Sequence, residues 1–311
     1  MKFIKKRGIP REASLSKIKL ESSYLTVDYY KNRGYSITTI CSELGIARSS
    51  YYKYNKRIKP NKEKQDELLC SLIREYHATY DGILGYRRMT MFINRLNQTS
   101  YSEGYIHRLM SFLGIKSRIR RKKVNRKISK PDYVKENILG RDFTTSKPNE
   151  KWLTDVTEFS IPSDKRKLYL SPIMDLFDNS IIEFRFSFRN NNKLVFKMFD
   201  TAILKNPEAK PIFHSDRGFQ YTNNIFKLKL ENAGMLQSMS RVGKCIDNGP
   251  MEGFFGTLKT EMFYGKTFSS MEELIEKIKK YIRFYNEERF QKNLKCLAPL
   301  EYRHQALVAN F

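Results

Sequence analysis

Apolar positions recur at helical spacing through the first third of the chain. Across residues 34–54 (GYSITTICSELGIARSSYYKY), Ile37, Ile40, Cys41 and Leu44 stand at i, i+3, i+4 and i+7. A turn follows at Gly45, and a second short segment carries Arg48, Ser49, Ser50, Tyr51 and Tyr52. This predicts a helix-turn-helix whose second helix offers a guanidinium, hydroxyls and phenols to a groove or to phosphates; an ordinary helical hairpin would share the pattern. Residues 67–114 predict three more amphipathic helices with one core: Leu69, Leu72, Ile73 and Tyr76; Met89, Phe92, Ile93 and Leu96; Tyr105, Ile106, Leu109, Met110 and Leu113. Ser100 and Glu103 have capping-box spacing, and Gly114 stops the third helix. GYRRM at 85–89 sets Arg87 and Arg88 at a helix start beside a turn, either as a solvated pair or as phosphate contacts.

From Trp152 the period changes to two. Residues 152–159 read as a strand, 168–177 as a second, and Ile182, Phe184, Phe186 and Phe188 alternate with polar neighbours in a third. Turns at Pro162-Ser163-Asp164 and Asp178-Asn179 make the three an antiparallel meander. Helices near 192–204 and 222–233 then alternate with short strands at 211–215 and 236–239. A helix starting near 250, a long one over 271–288 and an irregular tail with Pro299 follow. The fold class is α/β: a mixed five-stranded sheet with helices on both faces, preceded by an all-α region.

Charge adds a partner. Net charge is +25, with 33 Lys and Arg against 14 Asp and Glu in residues 1–150 and 25 against 19 thereafter. A polyanion binding to the first half is the direct implication. A ribosomal or histone-like chain would also be basic, but 13% aromatics and a strand-rich, nearly neutral second half argue against it. Lys116 to Lys130 holds nine basic residues and no acid, Arg120, Arg121, Lys122 and Lys123 among them, and reads as a linker that settles on a nucleic-acid backbone. The expected divisions are a helix-turn-helix segment over 1–60, a second helical module over 61–115, the linker over 116–148, the α/β core over 149–290 and a tail over 291–311. Four scattered cysteines without a C-x-x-C pair predict buried thiols, and neither a zinc site nor disulfides. No run of about 18 apolar residues suggests a membrane span, so a cytoplasmic, nucleoid-associated protein is expected.

The stretch DNGPMEGFFGTLK, residues 247–259, holds the chemistry. Asp247 or Asn248 can cap a helix, Pro250 suits its first position, and Phe254, Phe255 and Leu258 form a buried stripe. Glu252 is thereby held rigidly, which alone fits a solvated surface group as well as a functional one. Asp155 in the first strand and Asp216 at the end of the fourth decide between them. In a sheet of this order those strands can be neighbours, with the glutamate helix passing over both aspartates. Three convergent carboxylates repel one another unless divalent cations hold them. Two Mg2+ or Mn2+ ions on the order of 4 Å apart suit an in-line displacement at phosphorus. His214 reads as a packing residue rather than a ligand, Asp247 as a cap rather than a fourth carboxylate, and Trp152 as core.

WLTDVTEF around Asp155, HSDRGFQY around Asp216 and DNGPMEGFFGTLKTE around Glu252, with 35 residues between the last two, resemble the DDE catalytic core of insertion-sequence transposases and retroviral integrases, which has a ribonuclease H-like fold. The resemblance is nearest to the second-frame transposases of the insertion-sequence three family. It extends to GYRRM, RLM at 108–110, NILGRDFTTSKPNEKWLTDVT and YNEERFQKNLKCLAPLEYR. It implies end cleavage and strand transfer of a 3′-hydroxyl into target DNA by Asp155, Asp216 and Glu252 as catalytic metal ligands. It also implies contact of Lys259 with the element's end, which the i+7 spacing from Glu252 supports. Further implied are binding to terminal inverted repeats and target DNA, a homo-oligomeric synaptic complex and an upstream first-frame protein joined by frameshifting. Two departures are Gln291, where the family often has histidine, and the Gly249-Pro250-Met251 variant before the glutamate. A catalytically silent regulator or decoy, and a nuclease of the same fold, are the alternatives.

Overall fold

A computed structural model describes residues 15–58, 61–117, 136–140, 142–241 and 245–309; most of the basic run, including Arg120, Arg121, Lys122 and Lys123, lies outside them. The chain divides into two units, Met1–Ser117 and Arg118–Phe311.

In the first unit, α1 (Leu15–Lys31) precedes α2 (Ile37–Glu43) and α3 (Arg48–Lys56). Ser36 caps α2 by accepting from the Thr39 amide at 3.1 Å. Gly45 turns the chain at φ +65°, a conformation glycine adopts without a side-chain penalty. Tyr24 and Val27 of α1, Ile40 and Cys41 of α2 and Tyr51 of α3 make one buried core. The pairing of α2 with α3 was therefore legible in the sequence, whereas the covering helix α1 was not anticipated. Helices α4 (Asn61–Thr79), α5 (Tyr86–Leu96) and α6 (Glu103–Phe112) bury Leu69, Ile73, Met89, Phe92, Ile93, Ile106 and Met110, while Leu96 is exposed. The α6 cap is Ser102, which accepts from the Tyr105 amide, rather than Ser100.

In the second unit, β1 (Lys151–Thr154) and β2 (Thr157–Ile161) both run antiparallel to β3 (Asp164–Asp175), in one register from Trp152 to Phe159, with Thr154 opposite Ile173 and Thr157 opposite Leu170, before it shifts ahead of Ile161. The single strand expected over 152–159 is thus interrupted without slipping. Extending the register sets Asp155 opposite Pro172. The Pro172 carbonyl accepts from the Thr154 hydroxyl at 2.9 Å, and its ring nitrogen has no hydrogen for the ladder. The break falls on Asp155 for that reason.

β3 pairs antiparallel with β4 (Ile181–Ser187), β1 pairs parallel with β5 (Ile212–Ser215), and β5 pairs parallel with β6 (Leu236–Met239). With β1 and β2 counted as one strand, this is the five-stranded mixed sheet of a ribonuclease H-like fold. Alternation sends Trp152 to one face and Leu153 to the other. Trp152, Ile173 and Phe213 pack with α7 (Asn192–Lys205) and α8 (Asn224–Asn232). Leu153, Phe159, Leu170 and Met174 pack with α9 (Gly249–Leu258) and α10 (Met271–Glu287). Each large side chain buried this way contributes about 1.5–3 kcal/mol.

The tail is not irregular. Pro299 opens α11 (Pro299–Ala309), where its missing N–H costs no helical hydrogen bond, and Arg303 on α11 donates to the buried Asp175 and Asp178. Of the thiols, Cys41 is buried, while Cys70 and Cys296 are only partly so. No helix among the described residues is long and apolar enough to cross a membrane.

Candidate active site

Asp155 follows the last residue of β1 and Asp216 the last residue of β5, and these two strands are parallel neighbours with Leu153 beside His214. The two carboxylates therefore leave adjacent strands at the same end of the sheet. Each takes a backbone hydrogen bond close by in sequence: the Val156 amide donates to Asp155 at 2.7 Å and the Gly218 amide to Asp216 at 2.9 Å. A side chain at Gly218 would stand 3.0 Å from the Asp216 carboxylate and 2.9 Å from the Gln220 amide oxygen, so it would press on the carboxylate that the turn positions.

The third carboxylate arrives on α9. Met251, Phe254, Phe255 and Leu258 are buried beneath the helix, with Phe254 edge-on to Tyr285 at 4.9 Å, and Glu252 is left exposed. The expected aromatic stripe is the one observed. Neither Asp247 nor Asn248 caps the helix with its side chain. Instead Asn248, itself buried, donates to the Thr154 carbonyl at 3.2 Å, pinning the start of α9 to the residue before Asp155; among the described residues its Oδ1 has no partner. Asp247 is fully buried and accepts a two-pronged contact from Arg241.

The electrostatics tie these groups together. Burial raises Asp155 well above the usual carboxylate range, the nearby Asp216 charge raises it further and Glu252 adds to this, while Lys259 opposes them. Burial also raises Asp216. Tyr221, buried between this pair and the α8 core, has its phenol raised by burial and then by the two aspartate charges. Each aspartate is half-buried, at a floor that solvent still reaches.

Such carboxyls favour the protonated form, so in the absence of divalent ions they add stability below the ordinary carboxylate range and lose it as pH rises through the raised values. Asp155→Asn is accordingly expected to raise the thermal midpoint of the metal-free protein at neutral pH. A gain of about 1 kcal/mol would appear as roughly 2–4 °C, and it should vanish below about pH 4. Calorimetry of both proteins across pH checks this.

Among the described residues, no three Asp, Glu, His or Cys side chains come close enough together to enclose one metal ion. The donor set nonetheless fits one. Two hard oxygen donors leaving adjacent strands at the same end of the sheet, with Glu252 exposed on α9 and Asn248 Oδ1 buried without a partner among the described residues, are what a divalent cation would hold.

Lys259 stands where α9 passes into a π-helical turn, Lys259–Phe263, a helix irregularity frequent at functional sites. Its ammonium donates to the Glu158 carbonyl at 3.0 Å and sits 5.0 Å from the centre of the Phe159 ring. His214 is no ligand. It is buried, hydrogen-bonded to Ser238 at 2.9 Å and Ser240 at 3.1 Å, and burial pushes it down to about 4, so it is neutral. A cavity of about 1030 Å³, lined by Lys147, Lys151, Glu208 and Lys210 among others, opens at the other end of β1 and β5. Trp152 is core, as expected.

In the first unit, Arg48 and Ser49 are exposed at the start of α3, Arg48 donating to Thr38 at 3.1 Å. Tyr51 does not join them: its ring is fully buried and its hydroxyl donates to Asp28 at 2.6 Å, which corrects the expectation that it faces a groove. Arg87 is exposed over Tyr86 and 3.5 Å from Glu103, and Arg88 is half-buried. Thr154, Tyr221 and Arg241 were missed by sequence reasoning, which read Asn248 only as a possible cap. Only adjacence to Glu252 or Asp155 marks Asn248 and Thr154, and nothing local marks the other two.

Adjacent parallel strands ending in aspartates, with a glutamate on the helix above, define an integrase-type core. The family described as Integrase core domain matches residues 145–245 and a second of the same description matches 252–307; HTH-like domain matches 63–123, which covers α4–α6. The chain is 40% identical over 276 residues to the putative transposase InsK for insertion sequence element IS150 of Escherichia coli (strain K12), covering 88% of this chain and 95% of that one. It is 28% identical over 285 residues to transposase InsF for insertion sequence IS3A of the same organism, covering 88% and 96%. It is also similar to the HTLV-2 integrase catalytic core domain in complex with magnesium, at 16% identity and a TM-score of 0.42, over 52% of this chain and 99% of that one. The chain belongs to the DDE transposases of the insertion-sequence three family. It is a DNA transposase.

Proposed function

We propose that Asp155, Asp216 and Glu252 carry out cleavage at the ends of an insertion sequence and joining of the freed 3′-hydroxyl to target DNA. The observation that supports this most is that Asp155 and Asp216 leave adjacent parallel strands at the same end of the sheet, where the charges of Asp216 and Glu252 both bear on Asp155. Asp155 and Asp216, completed by Glu252, would hold Mg2+ or Mn2+, two ions in the full site. When bound, these supply charge neutralisation at the phosphate and activation of the attacking oxygen. The chain's own part is to fix the two aspartates on a rigid sheet and to bring Glu252 to them on a helix anchored by Phe254, Phe255 and Leu258.

In the first step a water oxygen bonds to phosphorus and the bond to the 3′-oxygen breaks, leaving a 3′-hydroxyl and a 5′-phosphate. In the second that hydroxyl attacks a target phosphorus, and the target's own 3′-oxygen leaves with a proton. One phosphodiester replaces another, so no external energy source is needed. No enzyme-linked intermediate is required.

DNA recognition falls to the basic first half. Arg48 and Ser49 on α3, Arg87 and Arg88 on α5, and Arg120, Arg121, Lys122 and Lys123 of the linker are the proposed contacts, with affinity falling steeply as salt rises. The working assembly is a homo-oligomer on paired ends, and an upstream first-frame protein would join it as a frameshift fusion.

The test uses a labelled duplex bearing the element's terminal repeat, with Mg2+ or Mn2+ and then with a chelator. End-specific nicking and joining that the chelator abolishes is the expected result. Hydrolysis without joining would indicate a nuclease, and DNA binding without any chemistry a silent regulator. Lys259→Ala is expected to reduce crosslinking to end DNA by about ten- to a hundredfold, the scale of one lost charged contact, while leaving the metal-induced shift in thermal midpoint intact; unchanged crosslinking would remove Lys259 from the interface.

A further inference from the structure

We infer that Asn137, Arg241 and Asp247 form a clasp that sets the position of Glu252, making them positioning residues for the proposed reaction; the inference rests on the reading above. Asp247 lies five residues before Glu252 and is fully buried. Its carboxylate accepts from Arg241 Nε and Nη2, each at 2.9 Å, from the Arg241 amide at 3.0 Å, and from Asn137 Nδ2 at 2.9 Å. A carboxylate buried this deeply is tolerated only when its oxygens are satisfied, and a forked arginine contact fixes direction as well as charge. None of these bonds caps α9. They locate its start from outside the helix, while the next residue, Asn248, ties it to Thr154 beside Asp155 at 3.2 Å. Glu252, one turn further along, inherits the position that these two anchors fix.

Asn137 comes from residues 136–140, far away in sequence. That segment is itself fastened to β6: the Met239 amide donates to the Glu136 carbonyl at 3.2 Å, and the Leu139 amide donates to Ser238 at 3.1 Å. Leu139 is buried in the same core as Met251 and Phe254 of α9. From Ser238 the connection continues to His214, two residues before Asp216, and His214 reaches Ser240, whose carbonyl accepts from Arg217 at 2.7 Å. One connected set of hydrogen bonds thus runs from 136–140 to both sides of the site. Seating of that segment and placement of Glu252 are mechanically the same event.

The experiment compares the full-length protein with Asn137→Ala, Arg241→Lys and Asn137→His. Amide hydrogen exchange is read over residues 249–256, together with the single-turnover rate of end cleavage at saturating DNA. Asn137→Ala and Arg241→Lys are expected to exchange about tenfold faster in the first turns of α9 and to cleave about tenfold more slowly, since small misplacement of a reacting group is costly. End-DNA affinity should stay within about twofold of the wild-type value. Asn137→His, which retains an N–H at similar reach, is expected to recover most of the rate.

Unchanged exchange over 249–256, or faster exchange spread evenly over the sheet, would overturn the clasp. A wild-type protein that performs no strand chemistry would instead overturn the transposase mechanism, and the exchange measurement would still decide whether the clasp orders α9.

Discussion

Replacing Glu252 by Gln is expected to remove end cleavage and joining by at least about 10²- to 10³-fold, the scale on which losing one preorganised charged contact in a reacting site is felt. The substitution keeps the shape of the side chain and removes only the negative charge. Glu252 is exposed, on a helix whose apolar contacts are all made by other residues, so folding should be unaffected. A thermal midpoint within about 2 °C of the wild type and unchanged DNA affinity would therefore accompany the lost chemistry. Because Asp155 and Asp216 remain, weakened metal binding rather than none is expected, seen as a smaller stabilisation by Mn2+. A variant that cleaves at the wild-type rate would remove Glu252 from the mechanism.

Arg303→Ala should do the reverse, acting through stability. Asp175 and Asp178 are both fully buried, and Arg303 donates to each. Asp175 also accepts from the Asn149 and Phe177 amides at 2.8 and 3.0 Å, but amides do not neutralise its charge, and burial raises it above the usual carboxylate range despite Arg303. Removing the guanidinium leaves uncompensated buried charge, a loss of about 3–5 kcal/mol. For a unit of this size that is a fall of about 10 °C in thermal midpoint, measurable by calorimetry at neutral pH. Lowering the pH should narrow the difference, because protonating Asp175, which burial raises, removes charge that the variant leaves unpaired. A fall of less than about 2 °C would show that α11 is not held through Arg303.

The two substitutions touch opposite levels of legibility. Around Glu252 the order Pro250, Phe254, Phe255, Leu258 is a local pattern: helix start and buried stripe are set by neighbours three and four residues apart, and the helix formed where they said. The strands and their antiparallel meander were legible for the same reason, through alternation and turn residues. Tyr51 failed because a phenol on a basic, polar helix looks the same whether it turns outward or inward; α1, read from no motif, covers that face and supplies Asp28 as partner. The tail failed because Pro299 signals an end when read locally, whereas it begins a helix whose support, Asp175 and Asp178, lies more than a hundred residues earlier.

What the sequence by itself determined is the kind of fold and the order of most of its elements, and it singled out the three carboxylates proposed for the site, since hydrophobic period, turn chemistry and spaced motifs are properties of short segments. The tertiary structure alone decided which residues surround them. The strand break at Asp155 comes from Pro172 on another strand, Asn248 and Asp247 serve as anchors rather than caps because Thr154, Arg241 and Asn137 reach them, and His214 is neutral because two serines and burial enclose it. Each depends on groups distant in the chain meeting where water is scarce, and no local pattern encodes that meeting.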